Sequence, residues 1–148
     1  MYRRLSLLPL LLISMQAAAV KPADYKLFEN IFTHWTAAFN QKKWPESCHL
    51  FSKSLVADYQ GYPQKSYDTV CNGFKKVFQE TEKDYHYRFK LRDVYRNGNL
   101  AAVRITWFLD ISENNKNVSS TRDEGIDILQ KQSSGEWKIV NYLGYPVK

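Results

Sequence analysis

Between Lys21 and Gln41 the apolar residues Tyr25, Phe28, Ile31, Phe32, Trp35, Ala38 and Phe39 recur at three- and four-residue steps. This is the spacing of one buried stripe on an amphipathic helix. Pro22 suits its first turn, where a missing backbone N–H forfeits no helical bond. The pattern then predicts a short second helix from Pro45 to Ser52, with Trp44, Cys48 and Phe51 on its inner side. Leu55 to Pro63 reads as a brief extended segment closed by a Gly and Pro turn. A third helix is expected over Ser66 to Gln79, its inner face made by Tyr67, Val70, Cys71, Phe74, Val77 and Phe78.

From Tyr85 the period changes from 3.6 to 2. Tyr85, Tyr87, Phe89 and Leu91 alternate with His86, Arg88, Lys90 and Arg92, so the basic residues form the wet side of a strand. Asn97-Gly98 supplies a hairpin turn that requires positive φ. The return strand alternates Ala101, Val103, Ile105, Trp107, Leu109 and Ile111. A polar tip at Glu113 to Asn117 leads to a strand through Ile126 and Ile128, and Ser133 to Glu136 turns into a last strand, Trp137 to Tyr145. Helices first and an antiparallel meander afterwards define an α+β domain: three N-terminal helices packed on a strongly curved antiparallel sheet.

The first residues change what the remainder means. MYRRLSLLPLLLISMQAAAV joins Arg3 and Arg4 to an apolar run from Leu5 to Met15 and ends in small residues. The run is short for a hydrocarbon core of roughly 30 Å, and the small residues suit a signal peptidase. Residues 1–19 are therefore expected to be a signal peptide, and residues 20–148 a single domain delivered to the periplasm or outside the cell. No cysteine follows the apolar run, so no lipid anchor and no stable membrane attachment is expected after cleavage. Of 21 basic residues in the chain, 19 remain after Arg3 and Arg4 are lost, against 15 acidic ones, which leaves a charge of +4. With no block of five basic residues, a nucleic-acid surface is not indicated. His34, His49 and His86 stand apart without ligand spacing, and no Gly-rich phosphate loop occurs, so neither a metal nor another cofactor is expected.

Several stretches carry a resemblance. Phe39-Asn40-Gln41-Lys42-Lys43-Trp44 follows the first helix, Leu50-Phe51 lies beyond it, and the chain closes on DILQKQSSGEWKIVNY, with Gly135-Glu136-Trp137-Lys138-Ile139 at its centre. Together they resemble the nuclear-transport-factor-2-like superfamily, across essentially the whole of residues 20–148. The resemblance implies a cone-shaped fold with a cavity, a roll also described as cystatin-like. It does not imply one chemistry: ketosteroid isomerases, polyketide cyclases, ligand-binding modules, assembly domains and toxin-immunity proteins share it. In the isomerases a tyrosine of the first helix and a protonated aspartate of a late strand bind the developing oxyanion, while a second aspartate moves the proton. Carried over by position, the tyrosine falls on Trp35, the late-strand acid on Asp127, and the proton carrier on Tyr59 with Asp58 one residue earlier. One of the three positions keeps its residue type.

Asp127 has two readings. Between Ile126 and Ile128 it points to the face opposite theirs. That face is either the floor of a pocket, where the acid meets Trp35, Tyr59 or a ligand, or a solvated surface near Lys131 or Lys138. Tyr59, Tyr62, Tyr85, Tyr87, Tyr142 and Tyr145 are candidates for the lining or mouth of a cavity, with Trp35, Tyr59, Tyr87 and Asp127 as the ligand-binding set. Cys48 and Cys71, both on inner faces of helices that adjoin in such a fold, are expected to pair in an oxidising compartment. The functional expectation is a binding domain that holds a small apolar ligand or a protein partner. Alternatives are an enzyme using Asp127 with Asp58 or Tyr59, and an envelope-assembly or toxin-immunity protein. A homodimer through the outer sheet face, with Trp107 or Tyr95 exposed there, is a further expectation.

Overall fold

A computed structural model describes residues 22–147. The expected signal peptide lies outside the described residues. Helix α1 (Pro22–Asn40) buries Phe28, Phe32, Trp35 and Phe39, spaced four, three and four apart. A single 3-10 turn (Glu46–Cys48) follows, then strands β1 (Phe51–Tyr59) and β2 (Lys65–Ser66) and helix α2 (Tyr67–Gln79). Ser66 caps α2 by accepting a hydrogen bond from the backbone N–H of Thr69. Four strands complete the chain: β3 (Lys83–Asn97), β4 (Leu100–Glu113), β5 (Lys116–Lys131) and β6 (Trp137–Pro146).

The described residues thus hold two α-helices where three were expected. The segment from Pro45 to Ser52 makes one turn, with Cys48 N–H bonded to Pro45 O and His49 N–H to Glu46 O. Its continuation is taken by the sheet: Ile139 N–H donates to Leu50 O, and Phe51 pairs with Ile139 on β6. A pairing partner nearly ninety residues away outweighs a weak local helical signal.

The six strands form one curved sheet in the order β2-β1-β6-β5-β4-β3. The β1–β6 pair is parallel and the other four are antiparallel, which corrects the expectation of a wholly antiparallel sheet. The turns follow the sequence: Gly98 and Gly135 adopt positive φ, as do Asn114 and Asn115 between β4 and β5. Helix α1 lies on the concave face, where Phe28 packs on Trp137 at 5.1 Å and Phe32 on Trp107 at 5.7 Å, both edge to face. Val103, Ile105 and Leu129 complete this floor without exposure. Trp107, expected on the outer face as an alternative partner contact, is inward and 8% exposed, because it shares the parity of Val103 and Ile105. Tyr95 is exposed. Cys48 and Cys71 form a disulfide that ties the 3-10 turn to α2.

Candidate functional site

Strand β5 inverts the usual arrangement of an apolar inside and a polar outside. Ile126 stands 40% exposed on the convex face, while Asp127 is 1% exposed on the concave one. The register sets this orientation. Asp127 lies opposite Val103 on β4 and Tyr142 on β6, both turned inward, and its parity is shared by Gly125 and Leu129, both buried. Neither carboxyl oxygen has a hydrogen-bond partner among the described residues. Burial alone pushes the carboxyl up to about 8, so the group is mainly protonated at neutral pH.

A pair of glycines makes room beside it. Gly125 on β5 and Gly144 on β6 face each other in register, and the Tyr142 ring lies along them. A Cβ on Gly125 would come within 3.0 Å of Tyr142 Cε2, and one on Gly144 within 2.1 Å of the hydroxyl. Only a bare backbone lets the ring lie this close to the sheet. Burial raises the Tyr142 hydroxyl above its ordinary range, and the charges of Asp127 and Asp123 act in the same direction.

Asp123, four residues before Asp127 and of the same parity, accepts a 2.6 Å hydrogen bond from the Tyr59 hydroxyl of β1. Tyr59 is raised by burial and by this bond, and Tyr87 of β3 is pushed up to about 12 by burial with a contribution from Asp123. Two acids and three phenols from four strands therefore share one side of the sheet. Access falls along β5 from the exposed Arg122 and half-buried Asp123 to the enclosed Asp127. At the open end the Tyr59 ring packs 5.6 Å from Tyr62, which is 64% exposed.

The expected site residues separate into two groups. Tyr59, Tyr87 and Asp127 share the concave side, where Tyr59 and Tyr87 group with Asp123 and Asp127 lies beside Tyr142. Trp35 belongs to the aromatic core, 5.1 Å from Trp107 and 5.5 Å from Tyr87, and its indole N–H donates to Ser47 O at 2.8 Å. That donor is spent on the backbone. Asp58 departs from the expectation that it serves with Asp127: it accepts from Gln64 and has the opposite parity to the inward Ala57 and Tyr59. Tyr85 bonds Glu80, and Tyr145 is exposed opposite Glu124 on the convex face. Asp123 was absent from the expected set. Its signal was its parity with Asp127, which acquires meaning only once Asp127 is known to face inward.

A separate open groove of about 600 Å³ lies among α1, the 3-10 turn and the β5–β6 turn, with Leu27, Ile31, His34, His49 and Trp137 in its walls. None of the Asp127 cluster lines it. The Asp127 cluster and the groove are thus at different places.

No protein-family model and no curated protein matches the sequence. Solved structures do match in shape. A ketosteroid isomerase-like protein from Erwinia carotovora atroseptica is 16% identical with a TM-score of 0.68, over 86% of this chain and 99% of its own. An NTF-2 like protein of unknown function from Shewanella oneidensis is 13% identical with a TM-score of 0.70, over 82% and 98%. A domain of unknown function with a cystatin-like fold from Nostoc punctiforme is 13% identical with a TM-score of 0.67, over 87% and 80%. The described residues have the nuclear-transport-factor-2-like fold, with a six-stranded curved sheet and two α-helices.

Proposed function

We propose that the protein is a small-molecule-binding domain whose ligand occupies the concave side of the sheet and makes its polar contact with Asp127. The observation that supports this most is the carboxyl itself. A buried polar group without a partner costs about 1–3 kcal/mol, a cost that a ligand placing a hydrogen-bonding group there would remove. The Tyr142 phenol lies beside it, and the phenols of Tyr59 and Tyr87, grouped with Asp123 farther along the same face, supply further apolar faces with hydroxyl handles. The domain is proposed to act after export, for which residues 1–19 provide the signal and with which the Cys48–Cys71 disulfide is compatible.

An isomerase-type enzyme is the second reading, favoured by an acid at about 8 within the range of general acid–base work. It is less well supported. The Trp35 donor is bound to Ser47 O, Asp58 faces away, and Tyr59 stands where the proton carrier belongs. Thermal-shift screening of the wild type and Asp127→Asn against a library of small amphiphiles distinguishes the outcomes. Hits that stabilise the wild type and lose their effect in the variant support the binding reading. Hits that stabilise both equally, or a complete absence of hits, refute it.

A further inference from the structure

The part of the concave face around β5 carries two acids. Asp123 and Asp127 stand on one face of β5, and the titratable groups nearest them from the other strands are the phenols Tyr59, Tyr87 and Tyr142. Of the basic side chains on these strands and β4, Arg88 pairs with Asp110, Arg104 with Asp93 and Arg122 with Glu124, while Arg96, which shares the inward parity of Val94, pairs with Asp24 of α1 and lies over the Trp137 ring. Among the described residues, then, Asp127 is a fully buried carboxyl with neither oxygen hydrogen-bonded and no cation within reach. Aromatic rings lie on the same face. Tyr142 lies on the glycine pair beside Asp127, and Tyr87 packs 5.8 Å from Trp107.

A buried acid beside an electron-rich ring, on a face that carries further rings, and lacking a basic partner is complementary to a cation. We infer that the ligand is an organic cation, an amine whose ammonium group pairs with Asp127 while its apolar part lies along the Tyr142 and Tyr87 rings toward Tyr59 and Asp123. This deepens the binding reading given above and rests on it. The ammonium supplies the charge and hydrogen bonds that Asp127 lacks, and aromatic faces attract cations through their quadrupoles. Asp123, on the more open side and held by Tyr59, adds a negative potential on the way in. Neutral ligands would meet Asp127 as a protonated acid and gain one hydrogen bond. An anionic ligand would face two carboxyl groups.

Three probes with one carbon chain separate these cases: n-octylammonium, 1-octanol and octanoate, each titrated calorimetrically below its aggregation concentration. The ammonium probe is expected to bind at least tenfold more tightly than octanol at pH 8, with octanoate weakest. Asp127→Asn should abolish that preference. The ammonium pairs with the carboxylate, so its affinity should rise about tenfold per pH unit between pH 6 and pH 8 and level off above. Octanol binding as well as or better than octylammonium, with dependence on Asp127, would overturn the cation inference and leave the binding reading in place. Binding of all three that ignores Asp127→Asn, or binding of none, would overturn both.

Discussion

Replacing Asp127 by asparagine should make the stability of the protein insensitive to a pH interval over which the wild type weakens. The carboxyl has an ordinary value of 3.8 when solvated and is raised to about 8 in the folded protein. Between these values the folded state keeps a proton that the unfolded state has released, so stability falls as pH rises. It is highest below about pH 4 as far as this group is concerned, and the loss is complete above about pH 8. Each pH unit inside the window costs ~1.4 kcal/mol, so moving from pH 5 to pH 7.5 should cost roughly 3 kcal/mol. Against a total stability of about 5–15 kcal/mol for a small domain this is a large fraction, and it corresponds to a fall in Tm of about 10 °C. Asparagine keeps the shape and leaves an unpartnered amide, a cost of about 1–3 kcal/mol that does not vary with pH. Surface acids such as Asp110 and Glu124, both lowered in the folded state, titrate at lower pH and cancel in the difference. Urea denaturation of both proteins from pH 4.5 to 9 measures that difference directly. The wild type should lose ground to the variant steadily up to about pH 8. A difference that is flat, or that changes in the wild type's favour as pH rises, would show that Asp127 is solvated or paired, and the proposed site would lose its centre.

How much of this could be read from the chain depends on how local each signal is. The α1 stripe from Phe28 to Phe39 and the β3–β4 alternation with its Asn97-Gly98 turn are written in neighbouring residues, and the structure follows them. The segment after Pro45 departs from its local helical signal because what decides it is the pairing of Phe51 with Ile139, which no window around Pro45 contains. The parallel β1–β6 contact escaped for the same reason. Asp127 shows a different limit. Alternation says correctly that it opposes Ile126 and Ile128, yet a count of apolar residues would turn the isoleucines inward. Which face is the inside is set by Val103 and Tyr142 across the two ladders. Trp35 was placed on the correct stripe, but the commitment of its N–H to Ser47 O is a tertiary fact. The Gly125–Gly144 pair is the least legible feature, since two isolated glycines gain meaning only from facing each other beneath one ring.

Gly144→Ala should destabilise by about 1–3 kcal/mol, because its Cβ would fall 2.1 Å from the Tyr142 hydroxyl, and the cost should shrink in a Tyr142→Ala background; equal costs in both backgrounds would dissociate the glycine from the ring. Tyr59→Phe should cost about 1 kcal/mol by removing the bond to a part-buried carboxylate, measured by urea denaturation at pH 7, and no change would show that the Asp123 contact is not maintained in solution. A 3-oxo-Δ5-steroid should show no turnover above the solvent rate, and rapid isomerisation would promote the enzyme reading. The Cys48–Cys71 bridge bears on the proposed export. The cysteines are 23 residues apart and join the 3-10 turn to α2. Closing a loop of that length restricts the unfolded chain by about 3 kcal/mol, so Cys48→Ser with Cys71→Ser should lower stability by roughly that amount. The effect should leave the pH dependence of Asp127 unchanged, since neither bridged element is a strand paired with β5. Non-reducing peptide mapping of protein recovered from the export compartment should find one linked pair and no alkylatable thiol. Two free thiols in that protein would mean that the bridge does not form where the protein resides, and the case for an oxidising compartment would lose its structural support.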